Sequence, residues 1–172
     1  TAKDLISLDG KTSVDIILNV GAITGNITEL TNVFVVNKDN LTGEDTTAAT
    51  ISGTVTAAEA NTIAVATSGV VTATVKADTA ANLVSALANA AVTDKLKLTV
   101  TDKTIDASDL KSLDGKTAET VNASSVTKIV DASAADVYDV YLANSQNKIS
   151  GLGNEAVDLT GSTDADTALV NA

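Results

Sequence analysis

The sequence predicts an α/β fold: a repeat solenoid of about six strand-helix units of roughly 27 residues, with a parallel sheet on one side and short helices on the other. Three observations lead there. The hexapeptide SLDGKT occurs at Ser7–Thr12 and again at Ser112–Thr117, each time behind an Asp-Leu pair, Asp4-Leu5 and Asp109-Leu110. A short polar residue followed three positions later by an acid or amide recurs at Thr1/Asp4, Asn26/Glu29, Thr56/Glu59, Thr79/Asn82, Asp106/Asp109, Ser133/Asp136 and Thr163/Asp166. That is the pattern of a helix N-cap with its reciprocal partner. The starts lie 23 to 30 residues apart with β-rich runs between them, so strand, capped helix and next strand form a right-handed parallel crossover.

Taken in order, the Thr1 cap is followed by Leu5 and Leu8 on one helical stripe, and Gly10 stops the helix. Val14 to Leu18 reads as a strand, and Asn26 then opens a helix carrying Leu30 and Val33. Asn37 to Thr47 (NKDNLTGEDTT) is the longest polar excursion and is expected to be a surface loop. Ala49 to Ser52 is the next strand, Thr56 caps a helix with Ala60 and Ile63 inward, and Ser68-Gly69 ends it. Val70 to Val75 leads to the Thr79 cap, with Leu83 and Ala86 on its stripe. Lys95 to Thr101 alternates, Leu96, Leu98 and Val100 on one face and Lys95, Lys97, Thr99 and Thr101 on the other. Asp106 caps a helix with Leu110 and Leu113 that stops at Gly115, and Val126 to Val130 follows as a strand. Ser133 caps a helix with Val137 and Val140 that stops at Asn144-Ser145, and Ala156 to Leu159 is the last strand. Thr163 opens a seventh, weaker signature with Thr167 and Val170. The fixed period argues against a doubly wound sheet, and the Ala-rich run Thr79 to Ala91 argues against a β-sandwich.

Residues 1–172 read as a single repeat domain, with no linker inside it. The start at Thr1, without signal peptide or initiator Met, is expected for a processed product or a piece of a longer protein. Phe34, Tyr138 and Tyr141 are the only aromatics, so the core must be built from Ala, Val, Leu and Ile. A formal charge of −11 disfavours any surface that must neutralise phosphate, so no nucleic-acid partner is expected. Absence of Cys removes disulfides and thiolate chemistry and fits an extracellular bacterial protein. No segment approaches the roughly 18 to 20 unbroken apolar residues of a membrane span, so no membrane insertion is expected.

No enzyme signature emerges. The chain has no His for general acid-base work, and Asp4, Glu29, Glu59, Asp109 and Asp136 fall where capping and the helix dipole explain them. Gly151 and Gly153 form a lone GxG with no phosphate-loop context. Calcium is the one ion kept in view, with Asp39, Glu44, Asp45, Asp164 and Asp166 as candidate ligands, alongside Asn37, Asp9, Asp114 and Asp158. None of these stretches has the spacing of an EF-hand or of the calcium-binding nonapeptide, so solvated turn acids are the favoured reading and no cofactor is expected. The triplets at Asn26, Asn40 and Asn122 match the glycosylation pattern as often as a chain so rich in Thr and Ser would by chance.

The run Leu113 to Gly161 resembles a degenerate Ala/Thr/Val/Asp-rich repeat of very large secreted or surface-attached bacterial proteins, of adhesin and haemolysin type, from marine bacteria and cyanobacteria. Ser7 to Val33 and Ile51 to Val75 look like diverged copies. The resemblance implies extracellular architecture and no catalytic residues. The expected function is therefore a structural, non-enzymatic repeat segment of an extracellular surface protein: an adhesin stalk, surface-layer component or filament subunit, associating with itself or with neighbouring repeats. The alternative is a calcium-dependent ligand-binding adhesin module or a phage tail-fibre segment.

Overall fold

The computed structural model describes residues 1–160; the seventh cap signature at Thr163, with Asp164 and Asp166, lies outside the described residues. The chain is mixed α/β, with parallel sheets and six α-helices among the described residues. The helices are α1 (Ala2–Asp9), α2 (Ile27–Thr31), α3 (Ala57–Ala66), α4 (Ala80–Ala86), α5 (Ala107–Asp114) and α6 (Ala134–Ser145). The first strands are β1 (Ile16–Ile17), β2 (Ala22–Gly25), β3 (Leu41–Thr42), β4 (Ala48–Val55), β5 (Val71–Val75) and β6 (Lys95–Lys97). They are followed by β7 (Thr104–Asp106), β8 (Val121–Asn122), β9 (Lys128–Ala132), β10 (Ile149–Ser150) and β11 (Ala156–Leu159).

Each of the six cap signatures in this range starts a helix. Thr1, Asn26 and Thr56 form complete capping boxes with Asp4, Glu29 and Glu59. Thr79 and Ser133 accept the N–H of Asn82 and Asp136. Asp106 departs from the expected pairing by accepting Ser108 N–H, which leaves Asp109 outside a box. Gly10 and Gly115 end α1 and α5 in the right-handed conformation, so a positive φ is not what selects glycine there.

Among the described residues all strand pairs are parallel, and each paired residue faces a partner roughly 20 to 28 residues away in sequence, close to the spacing of the cap signatures. Ile16 faces Leu41, Ala22 faces Ala48, Thr72 faces Lys95, Thr104 faces Lys128 and Ile149 faces Val121. The single sheet expected from sequence is divided into ladders ordered β2-β4-β5-β6, β7-β9-β11, β1-β3 and β8-β10. Division follows from an additional short strand after several helices: β1, β3, β8 and β10 are two residues long, too short for alternation to reveal. Lone parallel bridges continue the pairing past the strand ends, Asp78 with Val100 beyond β5 and β6, and Thr99 with Asn122 of β8. A register shift between Thr50 and Thr54, where Gly53 has φ of 84°, marks a bulge in β4.

The helices pack in chain order, α1 on α2 and so on to α6. Leu30, Val33, Ala60, Ile63, Leu83, Leu110, Leu113, Val137 and Val140 are buried, as their helical stripe predicts, whereas Leu5 and Ala86 are half-buried and Leu8 is exposed, α1 having a helix on one side alone. Leu96, Leu98 and Val100 are buried while Lys95, Lys97 and Thr101 are exposed. Past α2 the chain continues as a π-helix, Asn32–Val36, which turns Phe34 into the core. The polar excursion is more than a loop. It holds two 3-10 turns, Lys38–Asn40 and Glu44–Thr46, with β3 between them, and it buries Leu41 and Thr47.

Candidate functional site

The buried polar side chains of the described residues are Thr47, Thr67, Asp94 and Thr117. All lie close ahead of a strand, and the last three bond backbone 20 to 23 residues earlier in the chain. Thr67 Oγ1 donates to the Thr47 carbonyl at 2.8 Å and accepts Gly69 N–H at 3.0 Å. Asp94 accepts Val71 N–H at 2.8 Å and Ala91 N–H at 2.9 Å. Thr117 Oγ1 accepts Leu96 N–H at 2.9 Å and Glu119 N–H at 3.0 Å. A short side chain with lone pairs and, in Thr, a rotatable proton can fill this role, because backbone groups left over between short ladders need partners. No buried side-chain polar atom is left without one among the described residues.

Further contacts join segments about a repeat length apart. Lys116 Nζ donates to the Leu87 carbonyl at the end of α4 at 2.8 Å. Asp102 accepts Ala80 N–H at the start of α4 at 2.7 Å, and Asn61 accepts Asn89 N–H at 2.8 Å. Lys111 Nζ bridges Asp136 at 3.2 Å and Asp139 at 2.7 Å on α6, and Lys128 reaches Asp158 across β9 and β11 at 2.6 Å. Close backbone stacking selects glycine at Gly69, where a Cβ would lie 2.5 Å from the Thr47 carbonyl carbon.

Titration follows the same geometry. The hydrogen bond from Thr1 and the adjacent N-terminus hold Asp4 below its ordinary value, the Thr56 backbone and hydroxyl do so for Glu59, and Ser133 and then Lys111 for Asp136. Partial burial, followed by the neighbouring charges of Asp106 and Asp102, pushes Asp109 up. Burial and the hydrogen bond to Glu155 push Tyr141 up to about 12. Asp4, Glu59 and Asp136 are thus shifted as helix caps and Asp109 and Tyr141 by burial, at positions dispersed along the chain.

Asp39, Glu44 and Asp45 lie on the two 3-10 turns around β3, and among the described residues no three acidic side chains come together in a way that would hold a metal ion. Asp9 and Asp114 are each the last residue of a helix, as the SLDGKT pattern implies. A shallow groove of about 560 Å³ runs between the π-helix and α3, lined by Val35, Lys38, Asp45, Asn61 and Val65. Phe34 borders it but is buried, and the one strongly exposed aromatic ring among the described residues, Tyr138, stands apart on α6. No helix among the described residues is long and apolar enough to cross a membrane. The buried column of Thr and Asp was hidden in a sequence so rich in both. Its one textual trace is the Thr that closes each SLDGKT.

No family model matches the chain, and comparison with curated proteins and with solved structures finds no match either.

Proposed function

We propose that this chain is a structural, non-enzymatic repeat segment of an extracellular bacterial surface protein, serving as adhesin stalk, surface-layer component or filament subunit, and that its turns stack as a solenoid. The observation that supports this reading best is the direction of the pairing. Each strand lies parallel to one about a repeat away, and the buried Thr67, Asp94 and Thr117 all bond the preceding turn. In such an arrangement each unit touches its neighbours alone, and length can grow without redesign of the core. The mechanism is geometric: spacing and stiffness are supplied by stacked turns, with no reacting group involved. Acidic, cysteine-free composition and the absence of His suit a surface that stays soluble outside the cell.

Antibodies raised against the chain test this on the organism that encodes it. Labelling of intact cells, lost after protease shaving, is expected. Labelling that appears only after lysis would contradict the reading.

A further inference from the structure

The two copies of SLDGKT sit in different surroundings. In the second copy Leu113 is fully buried, packed where α5 lies between α4 and α6. Lys116 donates to the last carbonyl of α4, and Thr117 bonds the strand of the preceding turn at Leu96. Leu, Lys and Thr of the hexapeptide thus dock one turn onto the turn before it. In the first copy the corresponding Leu8 is 49% exposed, and Lys11 and Thr12 are exposed too. Thr12 Oγ1 already accepts Val14 N–H at 3.1 Å, as Thr117 accepts Glu119 N–H and Thr67 accepts Gly69 N–H. The local turn is therefore formed, and what differs is the neighbour that Thr67 and Thr117 bond.

The exposed surface continues beyond the hexapeptide. Val14 is 73% and Ile17 78% exposed, and Val20 is exposed as well. β1 and β2 are the outermost strands of their ladders, each paired on one edge. Among the described residues four of the ten large exposed apolar side chains, Leu8, Val14, Ile17 and Val20, belong to this end. An unpaired parallel edge beside an apolar surface is a site for strand addition.

We infer that Ser7–Thr12 with the open edges of β1 and β2 is a docking site for one further turn of the same repeat, presented in parallel ahead of Thr1. This rests on the stacking reading above. The occupant is specified by the internal interface it would reproduce. It needs a helix whose last carbonyl meets Lys11, as Leu87 meets Lys116, and a strand whose N–H and C=O meet Thr12, as Leu96 meets Thr117. Residues 79–105 of this chain carry both, and the sequence KTI-DASDLKSLDGKT at their end would become KTI-TAKDLISLDGKT if they preceded Thr1.

The test places residues 79–105 directly ahead of Thr1 in the full chain. The extended chain is expected to melt at higher temperature than the parent in a single transition. Leu8→Ala and Thr12→Val, each nearly silent in the parent, are expected to lower the denaturation midpoint of the extended chain. If the extension fails to fold, a chain with residues 1–105 ahead of Thr1 repeats the comparison with the preceding turn supported on both sides. Protease removal of the added residues with an unchanged melting temperature, or variants equally silent in both chains, would overturn the inference. So would concentration-dependent dimerisation of the parent that Thr12→Val abolishes, since the occupant would then be a second copy. A neutral Thr117→Val in the parent would instead count against the stacking reading itself.

Discussion

Thr117 and Leu96, 21 residues apart, exchange two hydrogen bonds: Leu96 N–H donates to Thr117 Oγ1 at 2.9 Å, and that hydroxyl donates back toward the Leu96 carbonyl at 2.8 Å. The Asp94 carbonyl lies 3.2 Å from the same oxygen. Both residues are buried, so water cannot replace either bond. Thr117→Val keeps the shape and removes the hydroxyl that serves the Leu96 N–H, the Leu96 carbonyl and the Glu119 N–H, at a cost of about 1 to 3 kcal/mol. Thr117→Ser retains the hydroxyl and should cost less. Urea unfolding of the two variants checks the difference.

Leu113→Ala should destabilise by about 2 to 5 kcal/mol, the range for a leucine deleted from a closed core. Leu8→Ala, the same change at the same place in the hexapeptide, should stay within about 0.5 kcal/mol because Leu8 is half exposed. Denaturant midpoints of the pair measure how much of the hexapeptide's contribution comes from its neighbours.

Glycine matters at corners where backbones stack, and less where it only ends a helix. Gly69→Ala would drive a Cβ to 2.5 Å from the Thr47 backbone, and separation of the two turns there should cost about 1 to 3 kcal/mol. Gly10→Ala meets nothing closer than the Ile6 carbonyl at 3.6 Å, at φ of −66°. It should be neutral or stabilise by up to about 1 kcal/mol through the unfolded chain. Thermal melts of both variants decide whether the stacking corner is real.

The pH profile should fall at both extremes. Asp4, Glu59 and Asp136 have lowered values in the fold, so their contribution is complete above the ordinary 3.8 to 4.5 and is lost as pH drops through the folded values. Asp109 acts oppositely, its raised value relieving a cost as it protonates. On the alkaline side Lys111 and Tyr141 hold their protons more tightly folded than unfolded. Stability should therefore decline from about pH 10 toward 12. Melting temperature against pH checks this, and Tyr141→Phe should flatten the alkaline limb. A profile unchanged at that limb would remove Tyr141 from the account.

Legibility of the chain divides by element. All six helix starts before residue 160 were readable because a cap needs particular side chains at fixed spacing, and Thr1, Asn26, Thr56, Thr79, Asp106 and Ser133 supply them. Longer strands were readable as well, Ala156–Leu159 to the residue. Ala22–Gly25 and Thr104–Asp106 escaped because three or four residues carry no period, and they are strands through their pairing with β4 and β9. SLDGKT was visible as a repeat, yet its work was not. That depends on Leu87 and Leu96, which precede it by about a turn and share no motif with it.

Removal of whole turns measures the stacking claim most directly. A chain ended at Ala132 loses α6, β10 and β11 but keeps every earlier turn-to-turn contact. It should remain folded with a lower melting temperature, and hydrogen exchange at Leu96 and Val71 should stay slow. Complete unfolding of residues 1–132 would contradict it, because a fold whose turns depend on their neighbours alone does not collapse when its last turn is cut away.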